Sequence, residues 1–135
     1  MLPEKIKIEI LTPQKRIYAG DVSAARIPGI SGYFGVYPGH TPFLTTLKIG
    51  EIKIVTDKQT RYFSTSDGVA EILPDSISIL SETCEAASEI DLKRAEAAKE
   101  RAEKRLHEGR KNWSMDRAQI ALLRALNRIK TSSKK

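Results

Sequence analysis

The hydrophobic period of the chain changes once, at Ser88, and that change restricts the folds open to it. Before it, apolar and polar residues alternate. "KIKIEI" (Lys5 to Ile10) alternates strictly, and "EIKIV", "RYFST", "GVAEIL" and "SISIL" follow, separated by the turn clusters "TDKQ", "TSDG" and "LPDS". Successive side chains of a strand point to opposite faces, so the spacing predicts short half-buried strands in an antiparallel sandwich or flattened barrel. Pro28, Pro38, Pro42 and Pro74 fall in turns or at strand ends, where a missing N–H is tolerated.

From Ser88 onward the period is helical. "SEID" sets a capping residue three positions ahead of an acid, close to a capping box. "IDLKRAEAAKERAEKRLHEG" then runs in strong helix formers to Gly109, a natural stop. A second helix is predicted to begin near Asn112 or Ser114 and to continue through "MDRAQIALLRALNRIK". The short link "EGRKNW" favours an antiparallel hairpin, and "TSSKK" reads as a disordered tail from about residue 131. The expected class is therefore α+β, with an N-terminal antiparallel β-sandwich over 1–87 and a two-helix hairpin over 88–135. A chain of 135 residues accommodates one domain with such an appendage.

Alanine dominates the seam predicted between the helices. Ala95, Ala98, Ala102 and Leu106 fall on one stripe, and Ala118, Ala121, Leu122, Ala125 and Ile129 on the other. Small residues let helices approach closely but bury little apolar area, at ~0.8 kcal/mol per methylene, so the hairpin is expected to be marginal alone and able to open.

Charge divides at the same boundary. Up to Glu89 the chain has 9 Lys and Arg against 11 Asp and Glu, a net −2; from Ile90 it has 14 against 6, a net +8. The basic third calls for an acidic partner, whether nucleotide, nucleic acid, membrane surface or protein loop. Within it, Arg94, Arg101 and Arg105 repeat at i, i+7 and i+11, as do Arg117, Arg124 and Arg128. At 100° per residue each set spans about 40° of arc beside the alanine seam. Folding the helices antiparallel brings Arg94 near Arg128, and Arg101 near the turn containing Ala121 and Arg124. Few carboxylates are placed to answer these arginines apart from Asp91 and Glu85. Such edges read either as a solvated charged face or as an anion site, since guanidinium forks suit phosphate and alanines leave room for a flat ring. Without a Gly-rich phosphate loop, a nucleotide held here would be sensed and not hydrolysed.

Other chemistry finds little support. No apolar run approaches the roughly 20 residues of a membrane helix, and "MLPEKIKIEI" lacks the apolar segment of a secretory signal, so the chain is expected to stay where it is made. Cys84 is a lone cysteine, and His40 and His107 show no metal-ligand spacing. Neither a metal site nor a catalytic residue is assigned. The stretch "GYFGVYPGHTP" (Gly32 to Pro42) gathers three aromatics, three glycines, two prolines and a histidine. His40 could serve as a base, yet no nucleophile with a supporting acid accompanies it; a loop hydrogen bond is the simpler role. Among Tyr33, Phe34 and Tyr37, core packing is expected of at least one.

These residues also resemble a known family. "GYFGVYPGHTPFLTTLKIGEI", "LTP" (Leu11 to Pro13), "YAGDV" (Tyr18 to Val22) and "IDLKRA" together are similar to the epsilon subunits of F-type ATP synthases. Gly35, Pro38, Gly39, His40 and Pro42 match the family's Gly-x-x-Pro-Gly-His-x-Pro signature, and Leu47 and Gly50 follow at its spacing. Tyr37 stands where the family usually has leucine, Asp67 where it often has glycine, and Cys84 where alanine is common. The resemblance implies a non-enzymatic rotor subunit, peripheral on the cytoplasmic face of a bacterial inner membrane or the stromal face of a thylakoid. Its sandwich would dock on the gamma subunit and the c-ring, with Tyr33, Phe34, Gly35, Pro38, Gly39, His40 and Pro42 as a docking loop. Its helices would extend to the alpha and beta subunits and inhibit ATP hydrolysis.

The resemblance further implies a regulatory nucleotide site and no required cofactor. Ile90, Asp91, Arg94 and Ala95 match the family's nucleotide motif, and Glu85, Arg101, Arg124 and Arg128 fall at further contact positions. ATP bridging the arginines would favour the folded hairpin. Two other classes remain: a nucleic-acid module using the basic hairpin, and an enzyme with His40 as base. The first is weakened because Trp113 is the only aromatic after Phe63, leaving nothing else to stack on bases.

Overall fold

The computed structural model describes residues 4–109 and 114–135. Most of the predicted link, Arg110 to Trp113, lies outside them. Ten strands come first: β1 (Ile6–Leu11), β2 (Arg16–Val22), β3 (Ala24–Gly29), β4 (Gly32–Val36), β5 (Phe43–Leu47), β6 (Gly50–Val55), β7 (Thr60–Thr65), β8 (Gly68–Ile72), β9 (Ser76–Ser81) and β10 (Cys84–Ala86). They pair in the order β10-β7-β6-β3-β5-β8-β9-β1-β2, with β4 attached to β3. The sheet rolls up so that β10 returns beside β2.

Alternation in the sequence becomes the inner face of this sandwich. Ile6, Ile8 and Ile10 of β1, Ile52 and Ile54 of β6, and Ile77 and Ile79 of β9 are buried together around Phe63. Each such side chain contributes roughly 1.5–3 kcal/mol of burial. The antiparallel architecture holds with one local departure. β1 lies parallel to β9, Ile8 beside Ile77 and Ile10 beside Ile79, because the chain crosses the whole sandwich between the two strands and arrives in the same direction.

A 3₁₀ turn, Ala87–Glu89, leads to α1 (Leu92–Glu108), and α2 (Met115–Ser132) follows. The cap of α1 is Asp91, whose carboxylate accepts the Arg94 N–H at 3.1 Å, and not Ser88, which lies in the 3₁₀ turn. The 3₁₀ turn displaces the helix start by one turn, and Asp91 is the next side chain that can reach a free N–H. Gly109 closes α1 with φ of 83°, a left-handed conformation that a side chain would oppose. Ser114 caps α2 by accepting the Arg117 N–H at 3.3 Å.

Ala95, Ala102, Ala118 and Ala125 are the buried side chains of the seam. α1 packs on α2, and α2 in turn rests on β6 and β7. The end of the chain lies by Ala87 and Ser88, so the helices run antiparallel. A disordered tail is not what forms: α2 runs through Ser132, and Thr131 is completely buried. Thr131 and Lys134 donate to Glu51 on the sandwich, while Ser132 and Ser133 donate back to carbonyls of α2.

Candidate functional site

Arg124 and Arg128 stand one turn apart on α2 and both face the sandwich. Arg128 donates to Glu85 from Nε at 2.6 Å and from Nη2 at 3.4 Å, a forked pair. Arg124 donates from Nη2 to Asp67 Oδ1 at 3.1 Å. The expectation that few carboxylates answer the arginines is thus corrected in one respect. Glu85 answers as foreseen, whereas Asp67 comes from the distant β7–β8 turn, which sequence spacing could not place beside α2.

Between these arginines and the β1–β2 turn opens a cleft of about 560 Å³. Thr12, Gln14, Lys15 and Ile17 form one wall, Thr83, Cys84 and Glu85 the floor, and Ala98, Ala121, Arg124, Ala125 and Arg128 the other wall. Three of the sequence-derived residues, Glu85, Arg124 and Arg128, therefore converge on it. The alanines keep the helical wall low, which leaves the space a flat ring requires. Arg124 Nε is buried and donates to no described acceptor. A buried N–H without a partner costs roughly 1–3 kcal/mol, and because this one is closed off, only a shift of the guanidinium would bring it to an acceptor in the cleft.

The motif residues at the start of α1 do different work. Ile90 and Ala95 are buried, Asp91 is the cap, and Arg94 and Arg101 are exposed on α1 and do not line the cleft. Burial pushes the Cys84 thiol on the cleft floor up to about 12, holding it neutral. Thr12, Gln14 and Lys15 were not foreseen as cleft residues. They belong to a strand turn, and nothing in a strand pattern announces which helix will lie across it.

"GYFGVYPGHTP" is only partly a loop, because Gly32 to Val36 form β4, paired with β3. Phe34 packs on the core and meets Phe43 edge-on at 5.3 Å. The Tyr33 hydroxyl accepts the Glu51 N–H at 3.0 Å, and Arg26 lies 5.0 Å over its ring. Gly39 takes φ of 85° and donates its N–H to Pro74 O at 2.8 Å, anchoring the turn. His40 donates from Nδ1 to Thr41 O at 2.6 Å. Around them Ile30, Tyr37 and Leu44 are each more than 60 % exposed, an apolar rim of the kind that marks contact with other proteins.

The fold and cleft define a class: a β-sandwich carrying a basic two-helix arm on its flank, with an arginine-lined cleft between them. Residues 5–87 match the family described as ATP synthase, Delta/Epsilon chain, beta-sandwich domain, and residues 88–133 match its long alpha-helix domain. The chain belongs to the ATP synthase delta/epsilon chain family. It is 45% identical to the ATP synthase epsilon chain of Syntrophobacter fumaroxidans over 98% of this chain and 99% of that one. With the epsilon chain of Bacillus licheniformis it shares 39% identity over 92% and 95%. The fold is also that of a chain in the Euglena gracilis mitochondrial ATP synthase structure containing OSCP, F1 and the c-ring. There the TM-score is 0.84 at 19% identity, covering 100% of this chain and 84% of that one.

Proposed function

We propose that this epsilon chain is a non-catalytic rotor subunit of a bacterial F-type ATP synthase, and that its helical arm senses ATP and restrains ATP hydrolysis. Family membership over nearly the whole chain supports the rotor role, and the Euglena structure is of an assembly that includes F1 and a c-ring. In this reading the sandwich docks on gamma and the c-ring through Tyr33, Gly35, Pro38, Gly39, His40 and Pro42, flanked by the exposed Ile30, Tyr37 and Leu44. Phe34 supports that surface from beneath. No helix among the described residues is long and apolar enough to cross a membrane. In this reading contact with the membrane runs through partner subunits at its cytoplasmic face.

The observation that carries ATP sensing is the placement of Arg124, whose buried Nε lacks a partner, and Arg128 along one wall of the cleft. Triphosphate oxygens take the guanidinium donors while the base lies against the alanine wall, and ligand on both sandwich and arm favours the docked arm. Arg94 and Arg101 join from α1 on a modest side-chain rearrangement. Loss of ATP frees the arm to extend toward the alpha and beta subunits, where its net positive charge meets acidic segments and hydrolysis stops. Calorimetry tests the site: no heat of binding to the full chain at millimolar ATP removes the sensing step. Deleting residues from Ile90 onward tests the arm, with ATP hydrolysis by the reconstituted complex expected to rise while assembly and coupling persist.

A further inference from the structure

Glu51 is buried to 1 % exposure, although strand alternation puts it on the outer face of β6, opposite Ile52 and Ile54. The end of α2 is what covers it. Thr131 donates to its Oε2 at 2.9 Å, Lys134 to its Oε1 at 2.7 Å, and the Lys130 ammonium lies 3.9 Å away. Beside it, Asn127 Nδ2 donates to Gly50 O at 2.7 Å and to Ser64 Oγ at 3.0 Å.

We infer that this Glu51 cluster is a latch holding the arm on the sandwich independently of the nucleotide cleft. In every one of these contacts, and in the two arginine pairs of the cleft, the arm donates and the sandwich accepts. An anion entering the cleft competes with Asp67 and Glu85 for the same guanidinium donors. During the exchange the direct attachments of the arm at that end are broken before the ligand bridges arm and sandwich, and a second attachment beyond the ligand's reach keeps the arm in place meanwhile. Glu51 does not line the cleft. Its burial depends on the arm, so on release the carboxylate returns to water and is not stranded unpaired in the interior. Release is then reversible, unlike the breaking of an ion pair within a fixed core.

The inference rests on the reading of the arm as a docked element that detaches, and hydrogen exchange on the full chain without nucleotide tests it. Glu51→Gln removes the charge. Thr131→Val combined with Lys134→Gln removes the donors from the arm side and leaves the sandwich untouched. Amides of α2 are expected to exchange at least about tenfold faster in both variants, a factor within the range of lost charge-assisted bonds, while β3 and β8 exchange as before. Where Glu51→Gln also accelerates β3 and β8, the arm-side variant decides. Exchange of α2 within about twofold of the unaltered chain in the arm-side variant overturns the latch. If the unaltered chain binds no ATP, the sensing reading falls, but the exchange comparison still judges the latch. If it does bind, apparent affinity should drop in the variants in proportion to the docked fraction.

Discussion

Arg128 grips Glu85 side-on, with Nε 2.6 Å from one carboxylate oxygen and Nη2 3.4 Å from the other, across 43 residues of sequence. The pair ties α2 to the cleft floor and, in the proposed reading, keeps a guanidinium in position for an incoming anion. Replacing Arg128 by Ala removes both functions. ATP affinity is expected to fall about tenfold or more, the scale of one lost charge-assisted contact, and calorimetry at fixed salt measures it. Unchanged affinity would take Arg128 out of the site.

In the proposed reading, Asp67 competes with ATP for Arg124. Their pair is largely exposed and contributes little stability. Asp67→Ala is therefore expected to leave thermal unfolding nearly unchanged while strengthening ATP binding by about two- to fivefold. The gain should shrink at high ionic strength, where the competing pair is already screened. Weaker binding in Asp67→Ala counts against the competition.

Asp91 has a capping role that can be separated from any contact with ligand. Asp91→Ala should cost about 0.5–2 kcal/mol of α1 stability, whereas Asp91→Asn keeps an acceptor for the Arg94 N–H and should cost little. Far-ultraviolet circular dichroism during thermal unfolding distinguishes them. If Asp91→Asn retains helix yet loses ATP affinity, the carboxylate touches the ligand.

Docking should weaken in acid. Burial alone would raise the Glu51 carboxyl, but hydrogen bonds from Lys134 and Thr131 and the charges of Lys134 and Lys130 outweigh it and hold the group below its ordinary 4.5. A carboxyl lowered in the docked state stabilises that state above its ordinary value and loses the contribution as pH falls through the lowered one. Protection of α2 amides should therefore be steady above pH 4.5 and decline below it. Glu51→Gln should abolish that dependence, and the same decline in the variant would assign it to other carboxylates.

Cys84 should be inert while the arm is docked. At pH 8 a thiol held at about 12 is thiolate in only about one molecule in ten thousand, roughly a thousandfold less than one at the ordinary 9.0. Alkylation by iodoacetamide is expected to be slower in that proportion and to accelerate when residues from Ile90 onward are deleted. A fast reaction in the full chain would show the cleft floor to be open.

The sandwich, the hairpin and the boundary between them were legible because each rests on a local period, two before Ser88 and 3.6 after it. Glu85, Arg124 and Arg128 were legible for a different reason: helical spacing selected the two arginines, Glu85 stood out as a carboxylate placed to answer them, and the family resemblance put all three at further contact positions. Asp67, Thr12 and Lys15 were not, because their importance comes from the way α2 lies across the sheet, which no local pattern encodes. Ser88 was a plausible cap by motif but lost to Asp91 once the 3₁₀ turn had used it. Glu51 and Thr131 were hidden most completely. One reads as an outward residue on an alternating strand and the other as the start of a polar tail, and only their meeting buries both.

The placement of Lys134 against Glu51 carries a practical consequence. An affinity tag or fluorescent label attached at Lys135 would crowd the groove beside Ala87 and Ser88 and pull on that contact. A subunit carrying such a handle there would report a conformational balance of the handle's making. Comparisons between differently tagged preparations should be made only after the handle has been cleaved.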